Sequence, residues 1–315
     1  MKRGNTSFIF VDKIIKYHFE KGNHTMSFVI STDSGSNMPI DLIRENNLAV
    51  VPLTYRYDDE DHSTVDLSEF DGESYYEMIK DKEVTTSTVN IQQFIDAWEP
   101  YLKEGKDILH ISMSSGISST YQTSNMASEI LYEDYPERKI ITVDTYAASL
   151  GEAMIVLEAC KLMDEGLTVD EVADKIEKKK TSLRQVFTVD DLMFLKKGGR
   201  LSAASAMIGT ILSIKPILIG NEIGQIVVKG KERGRKAALK ALLDEYVNYV
   251  ANPVKDVIGI AHSACKEDVK WLKEEILKIN PMQKIITEIY EPVTGSHVGP
   301  RALALFFFKK EVETA

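Results

Sequence analysis

The feature that most constrains this chain is the alternation of short apolar runs with stretches of helical periodicity. Apolar runs at 48–53, 108–113 and 140–143 are separated by segments whose apolar residues recur every three to four positions. Strands and helices in alternation pair into a parallel sheet with helical crossovers, so an α/β fold is predicted from Met26 onward, where Phe28, Val29 and Ile30 open the first strand. One helix is explicit at 168–178: Thr168 and Glu171 have capping-box spacing, and Val169, Val172, Ala173 and Ile176 share a face.

Beyond the basic run Lys178, Lys179, Lys180, further strands are predicted at 185–189, 226–228, 257–261, 285–289 and 303–308. A length of 315 residues suits about two domains, here 26–182 and 183–315, with residues 1–25 as a loosely ordered appendage. Residues 8–17 of that appendage are short and weakly charged for a membrane-surface helix, so a frayed or loosely docked tail is the preferred reading. With no repeat and no low-complexity linker, the halves are expected to pack tightly and share a cleft.

Charge and motifs narrow the function. With 38 basic and 48 acidic side chains the formal charge is −10, which repels phosphate backbones and anionic membranes; nucleic acid is not an expected partner and membrane contact is at most transient. Cys160 and Cys265, far apart and each in an apparently helical stretch, suggest neither a disulfide framework nor a zinc cluster. No apolar run approaches the roughly 18 residues of a membrane span and no leader pattern opens the chain, so the cytoplasm is the expected address. Phosphate-loop, dinucleotide and His-Glu-x-x-His patterns are absent, and no nucleotide or metal cofactor is expected.

Three segments rich in hydroxyls and glycine carry the chemistry. Ser114-Ser115-Gly116-Ile117-Ser118-Ser119-Thr120-Tyr121 follows the strand at 108–113 and precedes a helical pattern, a place where free amides and hydroxyls suit an anion. One serine would cap the helix; four in six positions favour a binding loop. Thr85-Thr86-Ser87-Thr88, ahead of a helix at 91–101, reads by itself as an N-cap. Gly295-Ser296-His297-Val298-Gly299-Pro300 reads as a flexible turn, and its lone histidine taken alone is more often structural than functional. Ser118 with His297 has the residue types of a nucleophile and base, but no Gly-x-Ser-x-Gly elbow and no third residue supports a hydrolase.

Taken in order, Thr32-Asp33-Ser34, Thr86-Ser87, Ser-Ser-Gly-Ile-Ser from Ser114, Val143-Asp144-Thr145, Lys197-Gly198-Gly199-Arg200 and Ser296-His297-Val298-Gly299-Pro300 resemble the DegV family, from about Met26 to the C-terminus; a Lys215-Pro216 turn after an apolar helix adds to the match. The resemblance implies a two-domain fold: a three-layer N-terminal domain with a mostly parallel sheet, a C-terminal α/β domain with a mixed sheet, and a ligand tunnel between them. It implies a carrier of one long-chain fatty acid, not itself a catalyst, that presents the carboxylate to a separate ATP-dependent fatty acid kinase. Carried over by motif, Thr86, Ser118 and His297 would hold the carboxylate, with Ser87 and Ser119 as secondary candidates, and Arg200 and Arg233 would face the kinase. Met207, Ile208, Ile211, Leu212 and Ile214 are candidates for the tunnel wall, although core packing explains them equally well. Two departures stand out: Arg301 in place of a small residue after Gly-Pro, and Asp144-Thr145-Tyr146 in place of Asp-Ser-Lys. The alternatives are a serine-dependent acyl hydrolase and a sensor of another small carboxylate.

Overall fold

The computed structural model describes residues 27–201, 214–254 and 256–310. In chain order its strands are β1 (Phe28–Asp33), β2 (Ala49–Val51), β3 (Thr54–Tyr57), β4 (Glu60–His62), β5 (Thr85–Ser87), β6 (Asp107–Ser112), β7 (Ile140–Asp144), β8 (Leu183–Thr188), β9 (Ile214–Gly220), β10 (Ile226–Arg233), β11 (Val257–His262), β12 (Lys284–Ile289) and β13 (Leu303–Phe308). The helices are α1 (Ile40–Glu45), α2 (Gly72–Met78), α3 (Ile91–Lys103), α4 (Thr120–Asp134), α5 (Leu150–Asp164), α6 (Val169–Lys179), α7 (Met193–Lys197), α8 (Arg235–Tyr249), α9 (Lys266–Ile279) and α10 (Pro292–Val298).

These strands form a parallel sheet in the order β2-β1-β6-β7, a mixed sheet in the order β10-β9-β8-β13-β11-β12, and a small antiparallel sheet, β4-β3-β5. Period-two alternation sorts the parallel sheet's side chains. Phe28, Ile30, Leu109 and Ile111 face α5 and α6, while Val29 and Ile108 face Phe94 and Trp98 of α3 and Ala127 and Leu131 of α4. The mixed sheet is sorted likewise: Leu303, Leu305 and Phe307 face α8 and α9, and Ala304, Phe306 and Phe308 face the core that α5 fills.

Helix α5 explains why the two sheets are held together. Its sequence LGEAMIVLEACKLMD is apolar around most of its circumference, and such a helix is stable only when buried on all sides. Glycines set the approach: a Cβ on Gly151 would lie 2.8 Å from Phe306, and one on Gly259 would lie 2.7 Å from Leu150. One continuous core therefore contains Ile30 and Ile111 of the first sheet and Phe187 and Phe306 of the second.

Four local expectations are corrected. Thr85–Ser87 is not a helix cap but an edge strand, whose alternation turns Thr86 inward; Asn90 caps α3 and forms a capping box with Gln93. The segment around His297 is not a turn but α10, capped by Glu291, whose carboxylate accepts the amides of Val293 and Thr294. Lys215-Pro216 lies within β9, where Pro216 is tolerated because β9 pairs with β8 only at Leu218 and Ile219. Cys265 stands just ahead of α9 as its N-cap residue, not inside it. The appendage 1–25 and the wall candidates Met207, Ile208, Ile211 and Leu212 lie outside the described residues.

Candidate functional site

Where the parallel sheet's strand ends meet the mixed sheet, two cavities adjoin. The first, of about 480 Å³, is lined by Thr86, Ser118, Arg200 and His297, with Leu53, Met113, Leu195 and Val293 among its apolar walls. The second, of about 490 Å³, is lined by Phe187, Phe306, Ala147, Ala148, Ser149, Tyr146, Gln185 and Tyr290. Both touch Ile117, Ile226, Thr294 and Val298, so the two share a wall. We call them the head chamber and the tail chamber.

Each polar group of the head chamber is fixed by its own element. Antiparallel pairing with Tyr55 holds Thr86 in β5, and its Oγ1 lies 2.8 Å from His297 Nε2. His297 comes from α10, and its ring is seated against Gly198, where a Cβ would come within 2.3 Å of Nδ1; this clearance is a role for the first glycine of Lys-Gly-Gly-Arg. Ser118 sits two residues before α4. The Thr120 amide donates to its Oγ at 3.2 Å, and the Thr120 hydroxyl lies 2.9 Å from it. Arg200 donates from Nε to the Ile117 carbonyl at 3.0 Å and, among the described residues, has no carboxylate at ion-pair distance.

The serine loop is braced from both sides. Asp144 accepts the Ser115 and Tyr146 amides, and the Ser114 amide donates to Ala147, so the Asp144-Thr145-Tyr146 segment shapes the loop. On the other side the turn between β9 and β10 abuts it: Ser114 Oγ donates to the Gly224 carbonyl at 2.9 Å, and a Cβ on Gly116 would lie 2.6 Å from Gly224.

The electrostatics favour an anion. No acidic side chain among the described residues lines either chamber. Burial, with a contribution from Arg200, pushes the His297 imidazole down to about 4, so the ring is neutral at pH 7 and positive charge comes from the guanidinium. Burial also holds the Glu291 carboxyl up at about 7 against the bonds from Thr294 and Val293.

The remaining candidates separate. Ser87 is exposed and lines the rim of the head chamber, and exposed Ser119 lines neither chamber, its carbonyl accepting from Thr123. Arg233 is exposed at the end of β10, away from both chambers. Arg301 points away as well, bonding Asp190 at 3.0 Å and Asp268 at 3.4 Å. Ile214 opens β9 and lines neither chamber. Ser118 and His297 are not bonded to each other: Thr120 takes the first and Thr86 the second. Sequence reasoning missed Thr120, Gly198 as the seat of the imidazole, and the walls of the tail chamber.

The fold and the site define a class: an α/β protein with a parallel and a mixed sheet, whose pocket of polar groups, lined by no acid among the described residues, adjoins a largely apolar chamber. A profile described as the uncharacterised DegV family matches residues 27–310, and the chain belongs to the DegV family. A DegV domain-containing protein of Clostridium perfringens is 38% identical over 281 residues, covering 89% of this chain and 97% of that one. Among solved structures, a DegV family protein from Thermus thermophilus, described for its fatty acid binding, superposes with a TM-score of 0.81 at 28% identity, covering 90% of this chain and 100% of that one. DegV of Bacillus subtilis, described as a fatty acid binding protein, gives a TM-score of 0.78 at 28% identity with the same coverage. Among the described residues no helix is long and apolar enough to cross a membrane.

Proposed function

We propose that this protein binds one long-chain fatty acid, with the carboxylate in the head chamber and the acyl chain in the tail chamber. The observation that carries the proposal is the adjacency of the two cavities: hydroxyl, imidazole and guanidinium groups line one, aromatic and aliphatic walls dominate the other, and no acid among the described residues lines either. Relatives described as fatty acid binding proteins support the same reading.

The hydrogen bonding fits an anion acceptor. With a proton on Nε2, His297 donates to Thr86 Oγ1 and leaves the threonine O–H to point at the ligand. When the Thr120 amide and hydroxyl both donate to Ser118 Oγ, the serine O–H is likewise free. Two hydroxyls whose lone pairs are engaged by the protein become directed donors, and bonds from such donors to a carboxylate are roughly twice as strong as neutral ones. His297 on this account is a positioning residue, and Arg200 supplies the charge. The chain then adds affinity at about 0.8 kcal/mol per buried methylene, less the cost of ordering it.

The finer proposal is that the protein is a carrier, which presents the bound carboxylate to a separate ATP-dependent fatty acid kinase for conversion to the acyl phosphate. Its support is the family resemblance together with Arg200 at the carboxylate pocket and exposed Arg233, groups suited to a phosphate-handling partner. The test is retention of palmitate or oleate by Thr86→Ala plus Ser118→Ala protein. Affinity lowered about 10- to 100-fold is expected, as for loss of two charge-assisted bonds; unchanged retention would remove these residues from the site.

A further inference from the structure

Ser149 opens α5 with the spacing of a capping box, Ser149-Leu150-Gly151-Glu152, yet neither half of that box forms. Glu152 instead accepts the Thr32 hydroxyl at 2.7 Å, and Ser149 makes no cap bond to its own helix. The Ser149 backbone is held at φ 56, ψ −145, an arrangement L-residues rarely adopt, by its amide donating to the Gly35 carbonyl at 2.7 Å. The residue is 1% exposed, its Oγ has no hydrogen-bond partner among the described residues, and it lines the tail chamber. A serine at a helix start normally finds an amide to accept from, and buried hydroxyls are almost always bonded. Here the fold forgoes the available cap and leaves the hydroxyl in the chamber wall.

We propose that Ser149 is a second polar contact for the ligand, and that the acyl chains this site binds best carry a hydroxyl or keto oxygen at the interior carbon that comes to rest against it. The inference rests on the fatty acid reading above. A plain saturated chain leaves the Ser149 hydroxyl unpaired against methylenes, whereas an oxygenated chain completes it. No charged side chain among the described residues lines the tail chamber, so the oxygen it favours is neutral. Of the other polar groups there, the Gln185 amide nitrogen is already committed to the Tyr146 carbonyl at 2.8 Å and Ser114 Oγ to Gly224, while Thr294 Oγ1, where the two chambers meet, shares with Ser149 the lack of a partner among the described residues.

The experiment is competition binding on the delipidated full chain with octadecanoate and its 2-, 10- and 12-hydroxy derivatives. The 10- or 12-hydroxy acid is expected to bind about five- to tenfold tighter than octadecanoate, the usual value of one added hydrogen bond in a buried site. That ratio should fall to about one in both Ser149→Ala and Ser149→Gly, the glycine variant tolerating positive φ without strain. The 2-hydroxy acid, whose oxygen stays in the head chamber, should respond to neither change. Octadecanoate binding as tightly as both interior hydroxy acids, or a preference that survives in Ser149→Gly, overturns the proposal alone. Failure of all four acids to bind overturns the fatty acid reading together with it.

Discussion

The head chamber presents hydroxyl, imidazole and guanidinium groups delivered by β5, the loop before α4, α10 and the segment after α7, whereas the tail chamber is walled mainly by aromatic rings, aliphatic side chains and backbone, with Ser114, Ser149, Gln185 and Thr294 among its polar side chains. Among the described residues Ile117, Ile226, Thr294 and Val298 line both. The difference is one of construction. Each head-chamber group is set by a short local motif and one or two directed bonds, as Thr86 is by His297 and Ser118 by Thr120. The tail chamber has no motif of its own: it is the space that remains where the end of α5 and the mixed sheet come together, and residues as distant as Ala147 and Phe306 define it. A head group can therefore be held specifically by few contacts, while the tail is held by area.

The largest effect should come from closing the passage. In Ile117→Trp an indole fills the junction, and octadecanoate affinity is expected to fall about 100-fold or more through loss of buried methylenes, while hexanoate, short enough for the head chamber, changes by less than about threefold. Equal losses for both acids in a binding titration would show that the chambers do not act in series. A smaller effect should separate the two candidate arginines. Arg200→Ala is expected to weaken fatty acid binding about five- to tenfold at every chain length by removing the guanidinium that lines the head chamber, and Arg233→Ala to leave it unchanged. A chain-length-dependent loss in Arg200→Ala would contradict its placement.

A third effect, on stability rather than affinity, concerns the cap of α10. Burial holds the Glu291 carboxyl up at about 7 in the folded protein, above its ordinary value of 4.5. The folded chain thus binds this proton more tightly, and the stability it contributes is complete below about pH 4.5 and is lost as pH rises through about 7. Between pH 5 and pH 8 the wild type should lose on the order of 2 kcal/mol more stability than Glu291→Gln in denaturant titrations. Parallel curves for the two proteins would show that Glu291 is ionised throughout.

The same contrast explains what the sequence disclosed. Ser118 was legible because four serines in six positions exceed what a helix start needs, and the strands were legible because β13 is a continuous apolar run and β6 carries Ile108, Leu109 and Ile111. Thr86 was found only through its family motif; its neighbours Thr85, Ser87 and Thr88 read locally as a cap, and the real cap, Asn90, follows closely. His297 looked like part of a turn because Gly295 and Gly299 flank it, yet Glu291 and Pro292 start a helix there, and Gly295 is small because Tyr76 packs against it, with its hydroxyl 2.0 Å from where a Cβ would stand. Phe187, Phe306 and Ser149 gave no local signal, since their meeting depends on packing between two sheets.

The most direct test of the central claim is native mass spectrometry of the purified protein, followed by solvent extraction and identification of the bound molecule. The account predicts one long-chain fatty acid per chain, displaced by added palmitate or oleate. A protein that emerges empty and takes up neither acid would contradict it.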